Sequence, residues 1–484
     1  MIGVNSRHVL RALAGSRATA ALARLALAGL TVVFAQIALT WLTRGLNHHT
    51  ATSVSSVLPL LVGLAGPTAV LLVLAPRIAL LRPCRLAVLI VFFAGLAMRL
   101  VWFGVPAPLE DDFQRYFWDG AVVASGLDPY RYPPERFLGA EAVPHGYSAV
   151  AAAGQETLKR ISFPDLRTIY PSSAQLSFAI AHMIAPFSIE GLRIVFLFAE
   201  VATFFLMLSL LSVLNASVLW SILYWWNPMV AFAVIGLAHV DALVPTFLLG
   251  ALLMMIRHRT HMAVALLGVA AGVKIWPMLL LPLVLTRARR EPMKPLITCI
   301  LFSIVLAAAI GPLALSALHP GSGLTAYASS WGNNNAFFAW ANFLSSNLID
   351  PTTAERALRV SVGLSALVVS LSVARGAGGG PRPLVCAYLI VAAAVFYLSP
   401  AQFPWYAVWF LPLAAILRNW PLLLASATLP FYYLFYPLWA DGRGDAFFFG
   451  AAFLHSVPVL AWLVGERLFG HRASRVAPRG INRA

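Results

Sequence analysis

The chain has 484 residues, of which 60% are hydrophobic and only 11% are charged. Soluble domains contain about 45–50% apolar and about 25% charged residues, so this composition excludes a soluble enzyme and a disordered chain. The apolar runs lack the alternation of a transmembrane β-barrel. The composition therefore predicts an all-α polytopic membrane protein with one integral membrane domain over residues 1–484.

The net charge is +16, from 34 Lys and Arg residues against 18 Asp and Glu residues. Arg residues concentrate in short connections between apolar runs, which is the pattern of cytoplasmic loops, and no soluble basic domain is present to bind nucleic acid. With both termini cytoplasmic, segments 105–173 and 316–357 become the first and second large outer loops. The Arg-rich, Lys-poor usage is typical of a bacterium, which predicts a plasma (inner) membrane location with a periplasmic site.

About 12 apolar runs, within a range of 10–14, approach the length that crosses a hydrocarbon core of about 30 Å. In chain order they are 20–42, 57–75, 86–104, 174–187, 192–214, 240–256, 296–315, 358–374, 384–398, 406–417, 422–439 and 447–468. Two further runs are interrupted, 218–236 by Asn227-Pro228 and 262–285 by Lys274-Ile-Trp-Pro277. Proline breaks a helix, and irregular backbone at membrane depth occurs where protein or a wet cavity covers it. Both runs are predicted to be broken or re-entrant segments at a polar site.

Half of the acidic residues, nine of 18, fall between Glu110 and Asp165. Three of them are consecutive, in Glu110-Asp111-Asp112, directly after the third apolar run. Capping of a helix explains one such Asp but not three in a row at a membrane interface. Asp111 and Asp112 are therefore predicted to be functional, while Glu110 is equally well explained as a solvated loop acid.

The residues that follow predict a helix. Four polar side chains share one face by their spacing and two aromatic ones share another; these are Asp112, Arg115, Tyr116 and Asp119, and Phe113 and Phe117. This pattern is typical of an amphipathic helix on the bilayer surface.

Ionisable residues within apolar runs mark candidate sites because burying them is costly. Arg99 lies near the outer end of the third run, where snorkelling is the alternative. Lys274 lies in a broken run, where a cytoplasmic-side anchor is the alternative. His239 and Asp241 open a run, where a hydrogen-bonded helix start explains them equally well.

These motifs, in this order over about residues 95–415, resemble the GT-C superfamily of membrane glycosyltransferases, and most closely its PIG-M-type and bacterial polyprenol-phosphate-mannose-dependent mannosyltransferases. The matching segments are Glu110-Asp111-Asp112 leading through Tyr116 and Asp119 to Gly126-Leu-Asp-Pro-Tyr130; Tyr170-Pro171; Asn227-Pro228 with His239-Val-Asp241 and Lys274-Ile-Trp-Pro277; and Gln402-Phe-Pro-Trp405-Tyr406. The family's Asp-x-Asp stands here as Glu-Asp-Asp, which leaves open whether Asp111, Asp112 or both do the chemistry.

The resemblance implies a polyprenyl-phosphate sugar donor, a lipid or glycan acceptor, transfer with inversion, and mannose as the expected sugar. Asp111 or Asp112 would be the general base, and Arg99, Lys274 and Arg115 would stabilise the departing phosphate. A Mg²⁺ or Mn²⁺ ion held by Glu110–Asp112 is an open alternative. The residues expected to line the substrate site are Glu110, Tyr116, Asp119, Tyr130, Tyr170, His239, Asp241, Gln402, Trp405 and Tyr406.

A secondary transporter or lipid flippase is the rival interpretation, since broken helices and intramembrane charges occur in that class. Transporters commonly have two related halves, and no internal symmetry is evident in this sequence.

Overall fold

The computed structural model describes residues 6–139, 143–288 and 293–473. Within these ranges the regular structure is helical and contains no β-strand, which confirms the predicted all-α fold. The acidic residue Glu141 and the extreme termini lie outside the described residues. In the first half, the α-helices are α1 (Ser6–Leu42), α2 (Val54–Ala79), α3 (Arg85–Leu100), α4 (Phe113–Ala124), α5 (Ser148–Ala153), α6 (Gln155–Leu158), α7 (Ser172–Ile184), α8 (Ile189–Val213), α9 (Ile222–Trp225), α10 (Pro228–Ala231) and α11 (Leu243–Ile256).

The second half continues the same architecture, with short 3₁₀ turns joining several helices. Its α-helices are α12 (Thr260–Ala271), α13 (Leu281–Ala288), α14 (Lys294–Ser316), α15 (Gly323–Ser330), α16 (Ala336–Ser346), α17 (Pro351–Gly376), α18 (Pro381–Leu398), α19 (Leu411–Leu417), α20 (Trp420–Thr428), α21 (Phe435–Ala440), α22 (Gly444–Ala446) and α23 (Phe453–Ala473).

Eight helical segments of the described chain are long and apolar enough to cross a membrane. They are Ala18–Leu42, Val54–Ala79, Ile189–Val213, Lys294–Ser316, Pro351–Gly376, Pro381–Leu398, Trp420–Ala440 and Gly444–Arg467. A bent pair adds a ninth if it counts as one span. The predicted number of about 12 includes shorter helices, such as α3 and α7, and stays a prediction.

The first interrupted run is broken as predicted. Val218–Trp225 and Pro228–Gly236 meet at an angle of 56°. Asn227 stabilises the break because its Oδ1 accepts from the backbone N–H groups of Met229 and Val230, at 3.1 and 3.4 Å. Pro228 then occupies the first helical position, where its missing N–H costs nothing.

A buried ion pair contacts the backbone at this break and stabilises it. Arg99 of α3 donates to Glu200 Oε2 of α8 at 2.6 Å and to the carbonyl of Trp225 at 2.8 Å. Tyr224 donates to the second oxygen of Glu200 at 2.6 Å. The intramembrane acid Glu200 is thus neutralised and hydrogen-bonded, as a buried charge requires.

The segments predicted to be outer loops meet at one end of the bundle. The backbone N–H of Leu109 donates to the carbonyl of Leu46, and that of Arg167 donates to the carbonyl of Gly321. The backbone also pairs residue 333 with residue 401. Arg287, next to one Arg-rich connection, donates to the carbonyls of Gly378 and Gly380 in another. The side of the membrane on which each group of loops lies stays a prediction.

The predicted surface helix exists as α4, but its environment corrects the prediction. Most of α4 is buried, since it packs along α7 instead of lying on a lipid surface. Gly120 permits this approach, because a Cβ there would lie 2.4 Å from the carbonyl oxygen of Phe178. The helix follows the sequence pattern, but both of its faces contact protein.

Candidate active site

A cavity of about 840 Å³ opens between the predicted outer loops and the irregular segments of the bundle. The first outer loop contributes Glu110-Asp111-Asp112 with Tyr116 and Tyr170 to its wall. The two interrupted or irregular segments contribute Asp241 and Lys274, and the 3₁₀ turn at Pro404–Trp409 contributes Trp405 and Tyr406. Most of the predicted site residues are thus brought together around one cavity.

The acidic motif enters the cavity through a strained turn. Leu109, directly before it, has φ +65°, which is unusual for a residue with a branched side chain. Asp112 precedes α4, yet among the described residues its carboxylate accepts no capping hydrogen bond. Asp111 accepts from Ser162 Oγ, 3.1 Å from each carboxylate oxygen. Helix capping therefore does not explain Asp112.

Asp112 lies on the cavity wall and is close to His239. Its Oδ2 is 3.8 Å from His239 Nδ1, and the His239 side chain is fully buried. The imidazole stacks on Trp405, with ring centres 3.8 Å apart and planes 13° apart. In the part of the chain that the structure describes, neither ring nitrogen has a hydrogen-bond partner. The stacking fixes the ring, whose two nitrogens are buried.

Two carboxyl groups of the motif, those of Glu110 and Asp112, have raised pKa values. Burial and the like charge of Asp111 raise the pKa of Asp112 to about 6, while the positive charge of Lys274 acts in the opposite direction. Burial and Asp112 raise the pKa of Glu110 to about 8, against the lowering effect of the hydrogen bond from Tyr436. At neutral pH the arrangement favours an ionised Asp112 beside a protonated Glu110.

Lys274 brings the positive charge of the second interrupted run into the cavity. It lies between α12 and the 3₁₀ turn at Trp276–Leu280, with its Nζ 3.4 Å from Asp241 Oδ2. Trp409 donates to the other oxygen of Asp241 at 2.8 Å. The ammonium also lies 4.6 Å from the ring centre of Tyr406, at the distance of a cation–π contact. These contacts hold the lysine in place, with the acidic residue Asp241 as one of its partners.

An apolar pocket of about 320 Å³ adjoins the cavity at Lys274. The two volumes share Tyr170, Lys274, Tyr327 and Tyr406, and the rest of the pocket wall is mainly aliphatic and aromatic. Lys274 thus stands where a polar space meets an apolar one.

Arg99 was expected to bind phosphate, and the structure corrects this expectation. The guanidinium is completely buried in the Glu200 ion pair and stacks 3.7 Å above the ring centre of Trp225. It lies outside the cavity wall that the described residues form. Its hydrogen-bonding capacity is used within the bundle, which gives it a structural role.

Arg115 is also engaged elsewhere, although it lies close to the acids. Its Nη2 donates to the carbonyls of Phe163 and Leu166, at 2.9 and 3.0 Å. It lines a side pocket of about 80 Å³ together with Asp111 and Asp112, not the main cavity. The guanidinium holds the loop that faces the acids.

Four residues expected to line the substrate site are instead buried and do not form part of its wall: His239, described above, and Asp119, Tyr130 and Gln402. Asp119 accepts hydrogen bonds from Thr168 and Gln175, Tyr130 donates to the carbonyl of Tyr170 at 2.9 Å, and the Gln402 amide donates to the carbonyl of Tyr397 at 2.9 Å. These side chains bond to the protein's own backbone or side chains, although Gln402 Oε1 has no hydrogen-bond partner among the described residues. They shape the loops that carry the lining residues.

Several residues on or behind the wall have no counterpart in the sequence prediction. Tyr327 of the second predicted outer loop lines the cavity, and its Oη lies 3.1 Å from Tyr406 Oη. Trp409 fixes Asp241, and Tyr436 donates to Glu110 Oε1 at 2.8 Å. The only signal in the sequence is the density of aromatic residues, which is also usual where a helix meets the membrane interface.

The described residues offer no suitable set of ligands for the alternative of a bound metal ion. Among the described residues, no group of three or more His, Cys, Asp or Glu side chains is arranged to hold a metal ion. Glu110 is engaged by Tyr436 and Asp111 by Ser162. The proposed chemistry therefore contains no step through a metal.

Fold and cavity together define a polytopic helical membrane protein with a carboxylate and an ammonium group facing one outer cavity. Residues 170–290 match the family described as "Alpha-(1->6)-mannopyranosyltransferase, N-terminal domain". The match covers about a quarter of the chain and includes Tyr170, His239, Asp241 and Lys274. No curated protein and no solved structure matches the chain. The family match supports a glycosyltransferase of mannose, whereas the PIG-M-type likeness is not confirmed.

Proposed function

We propose that the chain is a membrane mannosyltransferase that moves mannose, with inversion, from a polyprenyl-phosphate donor to a hydroxyl of a lipid or glycan acceptor. The observation that carries the proposal is that Asp112 and Lys274 face the same cavity, at the border with an apolar pocket. The partial match to a mannosyltransferase family supports the sugar.

The donor's phosphate would lie beside Lys274. Departure of the lipid phosphate develops negative charge, which a fixed ammonium group in a shielded site stabilises strongly. The apolar pocket beyond Lys274, bordered by Val273 and Trp276, suits the first isoprene units of the lipid. A polar head and an apolar tail thus have adjacent places of matching chemistry.

Asp112 would act as the general base. The acceptor oxygen forms a bond to the anomeric carbon while the bond from that carbon to the phosphate oxygen breaks. The acceptor's proton passes to the Asp112 carboxylate, and the lipid monophosphate leaves with the bonding electron pair. Its raised pKa of about 6 suits this role, because the group is ionised at neutral pH and still takes a proton readily.

The reaction would take place at the periplasmic face of a bacterial plasma membrane, with both termini cytoplasmic. Two observations support this orientation. The Arg-rich connections follow the positive-inside rule, and the segments predicted to lie outside surround the cavity.

The test is transfer by the purified protein in nanodiscs. Radiolabelled polyprenyl-phosphate mannose should give labelled product with an extract of membrane glycolipids, and Asp112→Asn should lose this activity. Transfer of mannose from a nucleotide-linked donor, together with no transfer from the polyprenyl-phosphate donor, would contradict the proposal. Movement of the lipid-linked sugar across proteoliposomes without any transfer would favour the flippase interpretation.

A further inference from the structure

The cavity has a second end whose chemistry differs from that at Lys274. Here Tyr436 donates to Glu110 Oε1 at 2.8 Å, and the His48 ring lies 5.3 Å from the Tyr436 ring. Trp439, on the same helix as Tyr436, is 60% exposed and also lines the cavity. These four residues, which we name the aromatic mouth, border the main cavity but neither the apolar pocket nor the side pocket.

Asp112 borders the same cavity as the aromatic mouth and Lys274. It interacts electrostatically with both Lys274 and Glu110. In an inverting transfer the acceptor and the leaving group occupy opposite faces of the anomeric carbon. If the phosphate leaves beside Lys274, the acceptor must approach from the side of the aromatic mouth.

The side chains of the aromatic mouth suit a sugar ring better than an acyl chain. A protonated carboxyl group both donates and accepts hydrogen bonds, which matches neighbouring hydroxyl groups on a pyranose. Exposed aromatic faces offer an apolar surface of the size of a sugar ring, with polar handles at its edge. An acyl chain would leave the Glu110 carboxyl with only Tyr432 and Tyr436 as hydrogen-bond partners.

We propose that the aromatic mouth is the acceptor subsite, where Glu110 binds hydroxyls of the acceptor's terminal sugar and Tyr436 positions Glu110. The acceptor is therefore a carbohydrate, either as a free glycan or as the headgroup of a glycolipid. This inference rests on the proposed function for the reaction, but the binding of the sugar can be measured without it.

Tyr436 on α21 and Tyr433 in the 3₁₀ turn directly before it form a matched pair of tyrosines for the test. Tyr436→Phe removes the hydroxyl that binds Glu110, whereas Tyr433→Phe removes a fully buried hydroxyl that has no hydrogen-bond partner within the described chain. Both substitutions leave the aromatic ring in place. Tyr436→Phe should raise the acceptor KM about tenfold, the effect of one lost hydrogen bond, with the donor KM unchanged. Tyr433→Phe should behave as the wild type.

A binding experiment separates this inference from the proposed function. Mannotriose and dodecyl mannoside are titrated into nanodiscs prepared without sugar detergents, with dodecanol as the chain-only probe. Binding of both mannosides, weakened by Tyr436→Phe and by Glu110→Gln but not by Tyr433→Phe, supports the subsite even if transfer fails. Binding of dodecyl mannoside alone, with the same sensitivity to the variants, identifies a glycolipid as the source of the sugar.

Three outcomes would overturn the inference. The first is that neither mannoside binds the wild type. The second is that dodecanol binds as well as dodecyl mannoside, and the third is that Tyr436→Phe and Tyr433→Phe have equal effects. A rise in the donor KM instead of the acceptor KM would place the lipid phosphate at this end and reverse the assignment. If the wild type binds mannosides but transfers no mannose under any condition, the proposed function fails while the sugar site stands.

Discussion

Asp112 on the cavity wall has its Oδ2 3.8 Å from Nδ1 of the fully buried His239, although one precedes α4 and the other precedes α11. Each follows a non-glycine residue in the left-handed conformation, Leu109 with φ +65° and Ala238 with φ +55°. Such conformations cost of order 1–3 kcal/mol each and persist where the surrounding structure enforces them. The two backbones are thus bent to bring these side chains to the same place.

Replacement of the base should stop transfer without loss of the fold. Asp112→Asn keeps the shape but removes proton acceptance, so kcat should fall by about 10²–10⁴-fold, the usual contribution of a general base. Asp111→Asn should have a smaller effect, because Asp111 already accepts from Ser162. Glu156→Gln is the matched control, since this acid is exposed and paired with Lys159 in the same loop. Equal loss in all three variants would contradict the assignment.

The pH profile of transfer should have two limbs. The rate should rise between pH 5 and 7, because the Asp112 carboxyl, with a pKa of about 6, must be ionised to accept a proton. It should fall above about pH 8, where Glu110 ionises and can no longer donate to the acceptor. The groups that face Glu110 are Asp111 and Asp112 from its own segment and Tyr432 and Tyr436 from the opposite helix.

Glu110→Gln is the test of the upper limb. This variant keeps an amide donor that does not titrate, so kcat/KM for the acceptor should lose its alkaline fall and keep its acid limb. The measurement is kcat/KM for the acceptor from pH 5 to 9. A profile of the variant identical to that of the wild type would show that Glu110 does not set the upper limb.

Removal of the ammonium group should affect the donor more than the acceptor. Lys274→Met keeps most of the side-chain volume, so kcat should fall about 10²–10³-fold, the effect of losing one charge-stabilising donor, and the donor KM should rise. Lys159→Met is the control, because Lys159 is an exposed lysine paired within the first outer loop. An unchanged donor KM together with an unchanged kcat in Lys274→Met would remove phosphate binding from this residue.

Local sequence signals correctly predicted the all-helical fold and the break at Asn227-Pro228, whereas the number of spans and the sides of the loops stay predictions. Apolar runs longer than a membrane thickness leave few alternatives to helices, and Asn227-Pro228 carries both the helix-breaking proline and the capping side chain that follows from it. Lys274 and Asp241 were identified because charges in apolar segments are costly and therefore informative. In each of these cases the physical reason is contained within a few consecutive residues.

The direction in which a polar side chain points could not be predicted in the same way. Asp112 and Asp119 share one face of α4 by their spacing, yet one faces the cavity and the other bonds to Thr168 and Gln175 within the protein. The difference arises because α7 packs along α4, a contact between distant parts of the sequence. Arg99 was misassigned for the same reason, since its partner Glu200 lies on another helix.

The last prediction concerns this buried pair. Arg99→Met leaves Glu200 without its cation, and breaking such a pair costs about 3–5 kcal/mol; thermal unfolding in nanodiscs should show the loss. The double variant Arg99→Met with Glu200→Gln should recover much of it, because no uncompensated charge remains. The donor KM of the folded double variant should equal that of the wild type, since Arg99 lies behind the cavity wall. A raised donor KM with unchanged stability would restore Arg99 as a phosphate ligand and show that its ion pair opens during the reaction.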